Sequence, residues 1–304
     1  MKNFAIIGVG GYIAPRHLRA IKETGNNVIA AIDKSDSVGI IDSYFPHAHF
    51  FTEFERFDRY LHLLKQKNTK IDYISICTPN YLHDSHIRYA LNYGTNAICE
   101  KPLVINPRNI DGLLDLEKRS PGNVYNILQL RLHPEIIKLK ESVDLSSDYP
   151  YDVELEYITS RGNWYHFSWK GDYNKSGGLI INIGVHFFDM LQWIFGEMDN
   201  TELFRRTSTT IEGHTYFRRA SVNWKLSIDE NELPDEVREA GQRTFRRITV
   251  EGKELEFSNG FTDLHTESYK HILEGNGFGI KESKKSIEII SNIKKMKVLR
   301  RPEQ

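Results

Sequence analysis

Two short runs in this 304-residue chain place side chains suited to acid–base work at the end of an apolar segment. Thr78-Pro79-Asn80 follows Tyr73-Ile74-Ser75-Ile76-Cys77, and Glu100-Lys101-Pro102 follows Asn96-Ala97-Ile98-Cys99. If both apolar segments are strands of one parallel sheet, both runs fall at its carboxyl edge, where open α/β sheets bind ligands. A lysine held there between a carboxylate and a proline, once partly desolvated, can lose its proton near neutral pH and act as a base. A surface lysine in an ion pair with Glu100 fits the same spacing, so two readings stand.

A third run, Gly8-Val9-Gly10-Gly11-Tyr12-Ile13-Ala14, lies between an apolar run and a helical pattern. Gly8 allows a tight turn and Gly10 lets the backbone approach a pyrophosphate. Gly11, Tyr12 and Ile13 lead into a helix whose first N–H groups and positive dipole end face the phosphates. Ala14 comes one position later than G-x-G-x-x-G/A requires, so the turn is expected to carry an extra residue. Asp33 ends the second apolar run, where a carboxylate can accept hydrogen bonds from a ribose 2′-OH. That favours NAD over NADP, whose extra phosphate a carboxylate repels, although Lys34 leaves room for both. The alternative for Asp33 is a cap or turn residue.

Alternating strand and helix patterns must position these groups. Strands are expected at Phe4–Gly8, Asn27–Asp33, Asp72–Thr78, Asn96–Glu100 and Val124–Leu130. Helices are expected at Pro15–Thr24, Phe54–Lys67, His83–Tyr93 and Asn109–Arg119. Unbroken apolar runs such as Val28–Ile32 belong to strands covered on both faces. This is the α/β pattern of a doubly wound Rossmann parallel sheet over residues 1–130. Over 131–304 the texture changes. Asp152–Tyr157 and Tyr216–Ile228 alternate at period two, and Arg247–Val250 and Leu255–Phe257 flank a turn, as in a largely antiparallel open sheet with one face in water. Helical patterns at His186–Phe195, Thr266–Leu273 and Lys281–Lys297 make this second domain α+β. The charged stretch Asp229–Arg243 reads as a surface loop or protruding helix, with a subunit contact as the alternative.

Bulk properties exclude several functions. With 40 Lys+Arg against 41 Asp+Glu, no global field exists to hold nucleic acid or an anionic membrane. The N-terminal apolar run is too short for a signal sequence, and Cys77 and Cys99 lack a CxxC partner, as expected of buried thiols in a reducing, cytoplasmic compartment. His83 and His86 have H-x-x-H spacing but no evident third ligand, so no metal site is expected.

The ordered set of motifs, from the glycine turn through Thr78-Pro79-Asn80-Tyr81-Leu82-His83, Ala90-Leu91-Asn92-Tyr93-Gly94 and Cys99-Glu100-Lys101-Pro102 to Gly177-Gly178 and Gly184-Val185-His186-Phe187-Phe188-Asp189, resembles the Gfo/Idh/MocA oxidoreductases. In finer detail Tyr12–His17, Gln129-Leu130-Arg131-Leu132-His133-Pro134 and Ser176–Leu191 are similar to its bacterial WlbA/WbpB subgroup. Those enzymes oxidise the 3-hydroxyl of UDP-N-acetyl-D-glucosaminuronic acid with NAD, in lipopolysaccharide O-antigen sugar synthesis.

The resemblance implies that Lys101 is the catalytic lysine and that His186 is the histidine that meets it at the reacting hydroxyl. Many relatives have aspartate four residues before that histidine. Asn182 stands there in this sequence and is expected to position the substrate, because a carboxamide takes no proton. Asp189 could orient His186 or be an ordinary helix residue. Thr78, Pro79, Asn80, His83, Glu100 and Gln129 join the glycine turn and Asp33 as cofactor-binding positions. A substrate with two phosphates and a uronic carboxylate should meet cations and aromatics. The candidates are Arg131, Arg161, Asn163, Trp164, Tyr165 and His166, with His265, Thr266 and Tyr269 as weaker ones, against a reading of Arg161–Trp169 as a strand end with core aromatics. The resemblance further implies a homotetramer built on the open sheets, and 2-oxoglutarate as an oxidant of bound NADH. The alternatives are a dehydrogenase of inositol or a simple sugar, and a non-catalytic NAD-binding regulator.

Overall fold

Apolar runs such as Val28–Ile32 and Tyr73–Ile76 can be stable only if both faces are covered, and in the computed structural model their side chains lie in the interior of a parallel sheet. The structure describes residues 1–144, 146, 149–255 and 263–300. Contacts divide the chain into two units, Met1–Gln129 with Asp263–Lys284, and Leu130–Thr262 with Lys285–Gln304. The segment from Asp263 to Lys284 therefore belongs with the N-terminal sheet, which a division into two consecutive segments at residue 130 does not convey.

In the first unit β1 (Asn3–Ile7), α1 (Ala14–Glu23), β2 (Asn27–Ile32), α2 (Ile40–Tyr44), β3 (His49–Phe51), α3 (Phe54–Gln66), β4 (Tyr73–Ile76), α4 (His83–Tyr93), β5 (Asn96–Cys99), α5 (Arg108–Arg119) and β6 (Val124–Asn126) follow in order. The strands lie as β3-β2-β1-β4-β5-β6, and every pair is parallel. This is the doubly wound order, and it brings Gly8, Asp33, Thr78 and Glu100 to the carboxyl edge of neighbouring strands. Two differences from the sequence pattern have local causes. β3 is a three-residue edge strand too short to show a period, and the pattern expects nothing there. The expected strand Val124–Leu130 stops at Asn126, whose N–H donates to Phe278 O, and Gln129–Leu132 then coils as a 3₁₀ turn.

The second unit holds α6 (Pro134–Ser142), β7 (Tyr151–Thr159), α7 (Trp164–Phe167), α8 (Tyr173–Ser176), α9 (Val185–Phe195), β8 (Met198–Arg206), β9 (Thr210–Phe217), β10 (Ala220–Ser227), α10 (Asp235–Glu239), β11 (Thr244–Val250) and β12 (Lys253–Glu254). The strands lie as β12-β11-β7-β10-β9-β8, antiparallel except for β7 against β10. Val153 and Leu155 are buried, whereas Glu156 pairs with Arg247 at 2.6 Å across the other face. The alternating stretch 216–228 proves to be two strands joined at Arg218-Arg219. The expected hairpin turns earlier than the pattern suggests, at Glu251 (φ 52°) and Gly252 (φ 71°), both left-handed as a two-residue hairpin turn requires. Of the expected return strand, Glu256 and Phe257 lie outside the described residues. The charged stretch 229–243 contains α10, and its Glu232 bonds Arg205 and Lys225.

Two last helices close the chain, α11 (Leu264–Leu273) in the first unit and α12 (Ile280–Lys295), whose residues divide between the units. Among the described residues one stretch, Tyr173–Phe195, is long and apolar enough to cross a membrane, but 61% of its window is buried within the protein.

Candidate active site

The glycine turn is built by close approach. Gly8 has φ 88°, and a Cβ there would stand 2.8 Å from the Thr78 backbone nitrogen. A Cβ on Gly10 would meet the Asp33 carboxyl carbon at 3.1 Å. Gly10 N–H donates to Asp33 Oδ2 at 2.9 Å, and Ser35 N–H to Oδ1 at 2.9 Å. Asp33 is thus both a turn residue and a carboxylate set beside the glycines. α1 starts at Ala14 with Pro15 in its first turn and with neither a side-chain cap nor an acidic residue there, which suits it to anionic phosphates. Tyr12 is 81% exposed at the turn's tip.

Behind the catalytic-edge loops, His83 is fully buried, with Nδ1 2.7 Å from Pro102 O and Nε2 2.8 Å from Thr78 O. It braces the two loops to each other and does not present its imidazole to a ligand, which corrects its reading as a cofactor contact. His86 Nδ1 lies 3.0 Å from Thr78 Oγ1, so the H-x-x-H pair is spent on the same loop. Asn80 is buried. Gln129 Oε1 and both carboxamide atoms of Asn126, the last residue of β6, are buried without a hydrogen-bond partner. Asn126 is a residue that sequence reasoning passes over, since one Asn at the end of an apolar run reads as a turn.

Glu100 is not the surface partner of Lys101 that the ion-pair reading supposes. Its carboxylate points inward, Oε1 lying 2.9 Å from His17 Nε2 and 2.8 Å from His265 Nε2, and Oε2 accepts from the Lys101 N–H at 3.3 Å. Burial alone would push this carboxyl up, but the bonds from His17 and His265 outweigh it and hold it well below the usual range. Tyr269 OH lies 2.8 Å from His17 Nδ1 and 2.7 Å from Ser75 Oγ, and Thr266 donates to Glu23. His265, Thr266 and Tyr269 are therefore buried bracing of the first unit and not substrate contacts.

In the second unit consecutive left-handed glycines, Gly177 (φ 84°) and Gly178 (φ 85°), turn the chain into a π-helical segment, Ile180–Gly184, that runs on into α9. Such bulges recur at functional sites. Between Ile180 and Leu191 the positions not buried are Asn182, Ile183 and His186. Asn182 Nδ2 donates to Tyr165 OH at 3.1 Å. Tyr165 is buried on α7, whereas Arg161, Asn163, Trp164 and His166 around it are exposed. Arg161 lies close enough for its charge to act on Tyr165 and Lys170, whose ammonium burial pushes down.

Arg131 and Asp189 lie together. Arg131 Nε and Nη2 donate to Asp189 Oδ2 and Oδ1 at 2.8 and 2.7 Å. The guanidinium fork is thus occupied by an internal carboxylate, and Asp189 orients Arg131.

A glycine turn against an acidic strand end, with a lysine closing the next strand but one, defines a dinucleotide-binding oxidoreductase class. Comparison with known proteins narrows it. Residues 2–126 match the Gfo/Idh/MocA model described as an oxidoreductase family with an NAD-binding Rossmann fold, and 149–215 match its C-terminal alpha/beta domain. A WlbA (WbpB) dehydrogenase of Thermus thermophilus, solved with NAD and alpha-ketoglutarate, is 47% identical with a TM-score of 0.95, covering 99% of this chain and 97% of that one. The same enzyme solved with NAD and UDP-GlcNAcA gives 46% and 0.94 over the same shares. The chain belongs to the Gfo/Idh/MocA family. Glucose-6-phosphate 3-dehydrogenase of Bacillus subtilis is 24% identical over 226 residues, 69% of this chain and 58% of that protein. The first curated relatives are matched over only 47–62% of their own length.

Proposed function

We propose that this protein is an NAD-dependent dehydrogenase that oxidises the 3-hydroxyl of UDP-N-acetyl-D-glucosaminuronic acid to the 3-keto sugar. The observation that carries the reading is the likeness, over nearly the whole of both chains, to a dehydrogenase solved with NAD and UDP-GlcNAcA. The residues present suit it: the Gly8–Gly10 turn and Asp33 would hold the dinucleotide. NAD, when bound, accepts the hydride that leaves the sugar carbon.

Lys101 takes the hydroxyl proton and His186 hydrogen-bonds the same oxygen. Asn182, held by Tyr165, positions the sugar without acting as a base. With Arg131 committed to Asp189, Arg161 is the arginine left among the candidates for the uronic carboxylate, which a guanidinium fork fits. The likeness to a structure holding alpha-ketoglutarate supports 2-oxoglutarate as the oxidant of NADH. The resemblance to the family supports a homotetramer built on the open sheets and work on lipopolysaccharide O-antigen sugars, and the two buried, unbridged cysteines support work in the cytoplasm.

NADH absorbance, followed with UDP-N-acetylglucosaminuronate, myo-inositol and glucose, with and without 2-oxoglutarate, tests the reading. Turnover of the UDP-sugar alone is expected. Preference for inositol or glucose would replace the substrate, and silence with all three would favour a regulator. Light scattering tests the tetramer.

A further inference from the structure

The buried cluster behind Lys101 is more elaborate than a strand end needs. Glu100 is 6% exposed, and the side chains around it come from three elements: His17 on α1, Ser75 on β4, and His265 and Tyr269 on α11. An ionised carboxylate only accepts hydrogen bonds, so both Nε2 atoms that meet Oε1 must carry protons. Burial pushes the His17 imidazole down, against the pull of Glu100, so it is neutral and its Nδ1 is an acceptor. Tyr269 OH therefore donates to His17 Nδ1 and Ser75 OH donates to Tyr269, which gives every bond in the chain one direction.

Of the other charged groups acting here, Arg16 lowers His17 further. Burial pushes the Cys77 and Cys99 thiols up, so both are neutral near pH 7, and it pushes the His83 imidazole down against its bonds to Pro102 and Thr78. His17, Glu100 and His265 also have the composition of a metal site. Ligand atoms in a tetrahedral zinc shell, with bonds of about 2.1 Å, stand about 3.4 Å apart. The contacts of 2.8 and 2.9 Å to Oε1 are shorter and fit shared protons.

We propose that His17, Glu100 and His265 are positioning residues for Lys101. Two imidazoles, one from the helix that follows the glycine turn and one from the returning helix α11, grip the Glu100 carboxylate. Through its bond to the Lys101 N–H, the carboxylate fixes the strand end that bears the base. The cluster also ties the helix that faces the dinucleotide to the strand that carries the proton acceptor. This rests on the reading of Lys101 as the base.

Glu100→Gln tests it on the full-length holoenzyme. A carboxamide keeps the shape but has one oxygen. If that oxygen serves the imidazoles, the NH₂ confronts the Lys101 N–H, so one grip is lost in either orientation. Misplacing a reacting group by about 1 Å can cost 10²-fold. A fall in kcat of about 10²-fold is expected, with KM for the sugar and Kd for NAD within about twofold. His17→Gln, which can still donate to Glu100, should recover most of the activity that His17→Phe loses.

A substrate-free arm separates this proposal from the function itself. Acetylation of Lys101 by acetic anhydride, followed against pH by peptide mass spectrometry, should shift to lower pH in Glu100→Gln, because a buried anion favours the ammonium. Lys118, 72% exposed, should not shift. If wild type oxidises no sugar, the function falls while the labelling still decides the cluster's role. Should Glu100→Gln fail to fold, His265→Phe, which removes one of the two donors to the Glu100 carboxylate, carries the kcat arm beside His17→Phe. Unchanged kcat and an unchanged labelling profile, with only a lower Tm, would overturn the proposal.

Discussion

Arg131 and Asp189, 58 residues apart, form a two-pronged ion pair whose side chains are 10% and 3% exposed. Burial pushes the Asp189 carboxyl up in spite of the guanidinium, so the intact pair adds little net stability, whereas either charge left alone is costly. Arg131→Ala is therefore expected to destabilise by about 3–5 kcal/mol. Arg131→Lys should restore only part of that, because an ammonium cannot span both oxygens. Urea unfolding at neutral pH measures both. A loss of sugar affinity at unchanged stability would instead return Arg131 to the substrate.

Lys101→Ala should lower kcat by about 10²–10⁴-fold, the usual worth of a positioned base, and leave NAD binding intact. Single-turnover NADH formation gives the first quantity and calorimetric NAD titration the second. Retained turnover would remove Lys101 from the mechanism.

Asp33 holds the Gly10 N–H, and in the proposed function it helps hold the dinucleotide. Asp33→Asn weakens a charge-assisted bond of about 1.5–3 kcal/mol, so the Kd for NAD should rise by about 10- to 100-fold. NADP should lose less, since the repelling charge is gone. Parallel titrations with the two dinucleotides check the direction.

Acid should destabilise the first unit beginning near pH 6.5. His86 is pushed down to about 4 by burial, and His17 and His83 are lowered by the same cause. A folded-state pKa below the unfolded value means that the unfolded chain takes up the proton first. The stability is complete above pH 6.5 and drains as pH falls through the folded pKa. For His86 the gap corresponds to about 3 kcal/mol. Glu100, held below the usual carboxylate range, adds a second loss that starts below its unfolded value of 4.5. Unfolding midpoints from pH 7.5 to 4.5 should show the slope, and His86→Gln should flatten it by about one proton.

The sequence by itself determined the elements of the first sheet to within a few residues, because fully covered strands must be apolar without a break and the crossover helices carry a 3.6-residue period. Gly8, Gly10 and Asp33 were legible for a similar reason: a positive φ and a close backbone approach leave few alternatives to glycine at fixed spacing. For His186 the sequence offers a role only through a resemblance of motifs, and for Lys101 spacing leaves two readings between which the resemblance chooses. The short strand β3, the split of β9 from β10 and the helix α7 were not, since segments of three to eight residues show too little period.

Tertiary structure decided which polar groups pair. Nothing local distinguishes an arginine that will bind a carboxylate substrate from one that will bind Asp189, or shows that Glu100 will turn inward to His265, 165 residues away. A buried polar group must find a partner, and any part of the chain that folding brings within 3 Å can supply it.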